Sequence, residues 1–167
     1  TMDSTPEQLR FASIPGCTIR ADFAGGGLSS DLGPLLLKGV DRQIGLTERV
    51  CAAIDDTRHP GYITHTLHDI LKQRIYQIAS EYEDGNDCNT LRHDPVFRLG
   101  VGCKPFDTDD ADGALASGST ISRFEHAVSS KDIYRLSEAL VDQFIAGYAT
   151  PPDALVLDID HSEDAAH

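Results

Sequence analysis

Two aspartates close together in the sequence, Asp158 and Asp160, have a spacing that suits a metal site. They follow the apolar residues 155–157 in the segment LVLDIDHSED, a pattern that predicts a buried strand ending in carboxylates. Side chains at i and i+2 of a strand point to the same face, so both carboxylates can reach one divalent cation. Oxygen ligands of this kind suit Mg²⁺. Because a single strand needs sheet neighbours, we expect this segment to supply only part of a site.

Two kinds of phosphoryl chemistry use such a strand. The DxDx(T/S) ending resembles the nucleophile loop of haloacid-dehalogenase-type phosphatases, in which Asp158 would attack phosphate, Asp160 would protonate the leaving group and Ser162 would complete the motif. That family places the strand near the start of a large α/β domain. In the alternative, carboxylates from separate strands hold two Mg²⁺ ions about 3.5–4 Å apart and promote phosphoryl transfer.

The composition limits the class of protein. The 167 residues are 40% hydrophobic and 25% charged, which is typical of a globular chain of ordinary domain size. The sequence has no apolar run of the roughly 20 residues that a membrane span needs, and residues 1–10 lack the features of a signal peptide. We therefore expect a cytoplasmic protein with no membrane partner. The net charge of −13 means that any DNA contact must be local.

Hydrophobic spacing predicts a mainly α-helical fold. A first helix should begin after an N-cap at Ser30 and end at Gly45, and a second should cover residues 46–55. The strongest helical pattern, over residues 65–82, predicts a central core helix with one apolar and one polar face. Its apolar positions are Leu67, Ile70, Leu71, Ile75, Ile78, Ala79 and Tyr82, and its outward positions are Lys72, Gln73, Gln77 and Glu81.

The second half of the helical region contains shorter elements and one long helix. We expect a turn and a short helix before Pro95, a further short helix over residues 119–128, and a long helix that begins at Ser129 or Ser130. Asp132 lies three positions after Ser129, which is close to a capping box. One stripe of the long helix carries Ile133, Leu136, Leu140, Val141, Phe144, Ile145 and Tyr148.

The chain divides into three parts. Residues 1–16 are predicted to be a mobile lead-in, and residues 17–150 a helical domain that opens with an extended arm over residues 17–23. Two prolines at positions 151 and 152 end the helical region. The terminal strand in residues 151–167 is expected either to stay unpaired or to pair with the arm.

A second candidate metal site lies at the start of the central helix. His65, His68 and Asp69 are spaced i, i+3 and i+4, so a helix would bring them to one face. The other interpretation is that His65 serves the helix start.

Four stretches of the chain together carry a family resemblance. They are ADFAGGGLSSDLGPLLLKGVDRQIGLTERV at 21–50, HTLHDILKQRIYQIASEYEDGNDCNTLRHDPVFRL at 65–99, STISRFEHAVSSKDIYRLSEALVDQFI at 119–145 and LVLDID at 155–160. In this order they resemble the N-terminal part of bacterial insertion-sequence transposases with a DDE catalytic domain, group 1.

The resemblance implies a role in DNA transposition. The helical region would be the N-terminal domain of a transposase, and LVLDID the first strand of a truncated, RNase H-like catalytic domain. Asp160 is then the best candidate for the first metal-binding and catalytic carboxylate, with Asp158 next, and Mg²⁺ is the cofactor implied for the family. Ser162, Ala165 and Ala166 depart from the family's usual continuation after the strand. The second Asp and the Glu of the triad lie far downstream in the family, so we expect this fragment to be inactive by itself.

DNA at transposon ends is the partner that the resemblance implies. The segment GSTISRFEHAV resembles the second helix of a helix-turn-helix, in which Ser119 or Thr120 would cap the helix and Thr120, Ser122 and Arg123 would face bases or backbone. Further phosphate contacts are expected from Arg92, Lys131 and Arg135. Multimer assembly, including formation of a homo-oligomer, is a second expected role. The competing hypothesis is a non-catalytic, helical protein-interaction module left from a decayed element.

Overall fold

The structure is mainly α-helical, with the predicted helices in the predicted order and one further helix, Pro95–Val101, that was not predicted. The computed structural model describes residues 9–10, 20–21, 31–103 and 114–157. Two predicted features, the N-cap Ser30 and the aspartates Asp158 and Asp160, lie outside the described residues. The helices are α1 (Gly33–Ile44), α2 (Leu46–Ala52), α3 (Leu67–Ala79), α4 (Asp87–Leu91), α5 (Pro95–Val101), α6 (Gly118–Ala127) and α7 (Ser130–Ala146), with a 3₁₀ turn at Pro60–Tyr62.

The predicted arm contributes a very short strand. Strand β2 (Arg20–Ala21) pairs antiparallel with β1 (Leu9–Arg10), so that Leu9 lies opposite Ala21. The arm thus pairs with residues of the predicted lead-in. Residues 155–157 form neither helix nor strand and are exposed, with Val156 95% exposed.

Capping residues explain where most helices begin and end. Helix α1 ends at Gly45, which adopts the left-handed conformation (φ 68°) that favours glycine. Helix α7 begins with the predicted capping box, in which Ser129 and Asp132 exchange side-chain and backbone hydrogen bonds. The predicted start of α1 was wrong: the helix begins at Gly33, whose amide donates to the Asp31 carboxylate at 2.8 Å.

Helix α3 is the centre of the core. Its Leu67 and Leu71 pack with Val50 and Ile54 at the end of α2. Between these two leucines, Ile70 packs with Cys88 and Ile121, and farther along the helix Tyr76 packs with Phe97, Val101 and Leu115. One helix therefore contributes to three apolar clusters, and it fixes α2, α5 and α6 relative to each other.

The outward face predicted for α3 was wrong at two positions. Gln73 and Gln77 are 1% and 0% exposed, whereas Ile78 is 48% exposed. The side chain of Gln73 donates to the Ala116 carbonyl and accepts from the Ala116 amide, both at 2.8 Å. Gln77 accepts a hydrogen bond from the Cys88 thiol. Burial of Gln73 satisfies two polar groups of the chain packed on α3, whereas the Nε2 atom of Gln77 is buried without a hydrogen-bond partner among the described residues.

The apolar stripe of α7 is largely uncovered within the described part of the chain. Only Asp132 and Ala139 of this helix are buried, and Gln143 ties it to α2 and to the end of α1 through Arg49 and the Ile44 carbonyl. The exposed stripe, at 44–60% exposure, comprises Ile133, Leu140, Val141, Phe144, Ile145 and Tyr148. No described helix is long and apolar enough to cross a membrane.

Candidate functional site

A cleft of about 500 Å³ lies between the loop that joins α2 to α3, helix α6 and the start of α7. Its apolar floor comes from Ile54, Leu67, Ile70 and Phe124. The walls carry hydroxyl groups, imidazoles and guanidinium groups. The core contacts of α2, α3 and α6 hold these walls together, so the cleft is a consequence of how the helices pack.

Three arginines line the cleft: Arg58, Arg92 and Arg123. Arg58 is fixed in its own loop, because its guanidinium donates to both oxygens of Asp56 at 2.7–2.8 Å and to the His65 carbonyl at 3.0 Å. This hydrogen-bonded pairing raises the pKa of Arg58 and lowers that of Asp56. Arg58 therefore shapes the cleft more than it adds free positive charge.

Arg92 and Arg123 make no ion pair with any acidic residue that the structure describes. The Nε atom of Arg92 is buried without a hydrogen-bond partner. Arg123 is exposed on α6, where its Nε donates to the Ser119 carbonyl at 3.1 Å and its guanidinium approaches the Thr120 hydroxyl at 3.4 Å. Both side chains retain N–H groups that can donate to an anion.

The acidic side chains around the cleft are already paired. Arg135 bridges Asp55, at 2.8 Å, and Asp132. Glu125 of α6 pairs with Arg74 of α3 at 2.7 Å. The pair of Glu125 and Arg74 is neutral, whereas Asp55, Asp132 and Arg135 together keep one net negative charge. The two positive charges of Arg92 and Arg123 exceed it by one.

The structure brings together three of the six predicted DNA-contacting residues. Arg92, which follows α4, lines the same cleft as Thr120 and Arg123 of α6. Ser122 is exposed on α6 beside His126, and Lys131 is exposed on α7. The remaining residue, Arg135, is held between Asp55 and Asp132.

Sequence reasoning missed the aromatic wall of the cleft. Tyr62, on the 3₁₀ turn, is 88% exposed, and its ring centroid lies 5.3 Å from that of His59. The available signal was the composition of residues 56–63, in which arginine, histidine and tyrosine stand next to proline and glycine. Exposed aromatic and charged residues in a loop held by a rigid scaffold are typical of binding sites.

The histidine-rich start of α3 does not form the alternative metal site. His65 faces the cleft, where burial lowers its pKa, and the ring of His68 lies 3.1 Å from the Thr47 hydroxyl. Asp69 instead accepts from the hydroxyl of Thr66, the N-cap of α3. No group of three His, Cys, Asp or Glu side chains in the described ranges is arranged to hold a metal ion.

The chain matches a known protein family. The family model described as transposase DDE domain, group 1, matches residues 11–167. No curated protein and no solved structure matches the chain.

Proposed function

Because the chain belongs to the group 1 family of transposase DDE domains, we propose that its helical region binds the DNA of transposon ends through the cleft. The observation that carries this proposal is the convergence of Arg92, Thr120 and Arg123 on one cleft, with no ion pair to either arginine among the described residues. A protein with a net charge of −13 repels DNA over most of its surface. A local site with surplus positive charge is therefore what DNA binding by this chain requires.

Helix α6 supports the proposal by its two-sided character. Ile121 is completely buried, whereas Ser119, Ser122 and Arg123 on the opposite side are exposed. In the helix-turn-helix interpretation this polar side faces the DNA, with hydroxyl groups and Arg123 donating to phosphates or base edges. The pairing of Glu125 with Arg74 removes the charge that would otherwise weaken this contact.

The catalytic part of the proposal concerns Asp160 and Asp158, which lie outside the described residues. In it, Asp160 is the first Mg²⁺ ligand of the family's triad, with Asp158 as the next candidate, and residues 155–157 belong to the first strand of an RNase H-like domain. Val156 and Leu157 are exposed and outside any strand in the described structure, and in this proposal they become covered when further strands of the domain pair with them. Mg²⁺, when bound, polarises the reacting phosphate. The two aspartates need further carboxylates to complete such a site.

Binding of labelled duplex that carries the terminal repeat of the element tests the DNA proposal. We expect tighter binding of this duplex than of a scrambled duplex of equal length, with an affinity that falls steeply as salt is raised above about 50 mM. Arg123→Gln should weaken binding and reduce the slope of log affinity against log salt by about 1, because one phosphate contact is lost.

Arg42→Gln is the matched control, since Arg42 is an exposed arginine on α1 away from the cleft. Equal losses in the Arg123 and Arg42 variants would show that only net charge matters. If terminal-repeat duplex fails to bind specifically even at about 50 mM salt, the DNA-binding function is excluded.

Assembly with other protein subunits is a second candidate function. It is favoured by the exposed stripe of α7, because five large apolar side chains on this helix and Tyr148 just after it, at 44–60% exposure, form an unusual surface for a monomer. In this interpretation the chain is a helical interaction module, or the part of a transposase that holds the multimer together.

A further inference from the structure

We infer that the cleft holds a single nucleoside phosphate with its base unpaired. This inference rests on the proposed DNA-binding function and specifies the form of nucleic acid that the cleft accepts. The same chemistry is offered by a nucleotide of a single strand and by a free nucleotide. Both contain an aromatic base that can stack and a phosphate that can accept hydrogen bonds.

The size of the cleft favours a ligand of this kind. A volume of about 500 Å³ is within the range of about 300–1,000 Å³ that is typical of pockets for small molecules. A DNA duplex is wider than its major groove, which is itself about 12 Å wide. It can therefore contact only the rim of a cleft of this volume. A nucleotide that is not part of a duplex can enter it.

The phosphate would lie between Arg92 and Arg123. Arg92 lines the cleft and makes no ion pair among the described residues, so the terminal N–H groups of its guanidinium can donate to an acceptor there. Arg123 and the hydroxyl of Thr120 lie within 3.4 Å of each other on the same wall. Charge-assisted hydrogen bonds from guanidinium groups to phosphate are among the stronger ones in proteins.

The base would stack on Tyr62. This ring lines the cleft and is 88% exposed, so another ring can stack on it. It is tilted by 49° to the His59 ring and is not stacked on it. Aromatic side chains stack on any base, because every base has a π face. The apolar floor formed by Ile54, Leu67 and Phe124 excludes water from beneath the base.

The acidic residues of the cleft are largely offset by arginines other than Arg92 and Arg123. Asp56 is paired with Arg58, whereas Asp55 and Asp132 share Arg135. Three carboxylates are thus paired with two guanidinium groups, and the one net negative charge that remains is smaller than the two positive charges of Arg92 and Arg123. The donors that remain available face the ligand from α6 and from the segment that follows α4.

Fluorescence of an oligonucleotide that contains 2-aminopurine tests the inference, since stacking on an aromatic ring quenches this base. The protein contributes no tryptophan signal, because the chain has none. We expect the single strand to bind more tightly than the same sequence annealed into duplex. Tyr62→Ala should weaken binding of the single strand about 5- to 150-fold, the loss that corresponds to one stacked base.

Two variants serve as controls. Tyr62→Phe retains the ring and should bind within about threefold of the wild type. Tyr134→Ala removes another exposed tyrosine, which is 66% exposed on α7 and does not line the cleft. This variant should bind the single strand as the wild type does. Because Tyr62 is exposed, the Ala variant should keep the melting temperature of the wild type.

Competition with free thymidine 5′-monophosphate distinguishes the two sources of the ligand. Displacement of the strand by this nucleotide, lost in Tyr62→Ala, would identify a site for free nucleotides, whereas strand binding that it does not displace would identify a site for nucleic acid. The inference is overturned if neither ligand binds in a way that depends on Tyr62. Tight duplex binding that is insensitive to Tyr62 would overturn it while leaving the proposed function intact.

Discussion

At the scale of single residues, Asp132 connects the start of α7 to the loop of the cleft. Its carboxylate accepts from the Ser129 hydroxyl and amide, and also from Arg135 and the Asp55 amide. These hydrogen bonds hold the pKa of Asp132 well below its ordinary value, with the Ser129 hydroxyl as the largest cause. The charged form of Asp132 is therefore the form that stabilises the fold.

The variant Asp132→Asn should unfold at a lower urea concentration than the wild type at neutral pH. A carboxyl whose pKa is lowered by folding contributes stability above its unfolded pKa of about 4, and that contribution is lost as the pH falls through the folded value. The difference between the two proteins should accordingly narrow below about pH 4. A difference that stays constant across this range would contradict the assignment.

Gln73 stabilises the fold by satisfying two buried backbone groups. Its amide forms two hydrogen bonds with the backbone of Ala116, and both residues are 1% exposed. Gln73→Leu leaves a buried N–H and a buried C=O without partners, each worth about 1–3 kcal/mol. We expect the free energy of unfolding, measured with urea, to fall by about 2–4 kcal/mol.

The control for this change is Gln43→Leu, which alters an exposed glutamine of α1. It should change the free energy of unfolding by no more than about 0.5 kcal/mol. Similar losses in both variants would mean that the hydrogen bonds to Ala116 are not what makes Gln73 important.

At the scale of elements, α1 and α5 approach each other closely at one glycine. A Cβ atom at Gly100 would lie 2.9 Å from the Pro34 Cβ and 3.2 Å from the Pro34 carbonyl oxygen. Proline in the first turn of α1 needs no amide partner there, so it can form this flat contact surface. The small size of residue 100 is therefore set by helix packing.

Gly100→Ala should lower the free energy of unfolding by about 1–3 kcal/mol, because the two helices must move apart. Gly39 provides the opposite case: it lies within α1, and a Cβ atom added there would have no atom of the described residues within 4 Å apart from its chain neighbours and the backbone of its own helix. Gly39→Ala should raise stability by about 0.5–1 kcal/mol, since alanine is the better helix former. Urea denaturation of the two variants checks both signs, and a stabilised Gly100→Ala would refute the contact.

At the scale of the whole molecule, the exposed stripe of α7 predicts self-association. Replacing Val141 and Phe144 together by lysine should shift the chain to a monomer in size-exclusion chromatography with light scattering, because two charges interrupt the apolar surface. The fold should persist, since both side chains are at least 50% exposed.

Asp142→Lys is the control on the same helix, because it adds a lysine outside the stripe. It should leave the oligomeric state as in the wild type. A wild-type chain that is monomeric at every concentration would remove the assembly function from consideration.

The sequence by itself determined the local elements and the family. Some residues act on the backbone only within a few positions of themselves, so their effect on helix ends can be predicted without the fold. Examples are Gly45, Pro95 and the pair Ser129 and Asp132. The order of motifs that resembles a DDE transposase is likewise a property of the chain, and the family match over residues 11–167 confirms it.

Only the tertiary structure decided which faces are covered and which side chains meet. Gln73 is buried because Ala116, 43 positions away, offers it two hydrogen bonds, and the stripe of α7 is exposed because little of the described chain packs on it. Arg92 and Arg123 line one cleft beside Tyr62 because helix packing brings these distant parts of the sequence together. Periodicity reports the amphipathic character of one helix, whereas burial and site geometry depend on contacts between residues that are distant in sequence.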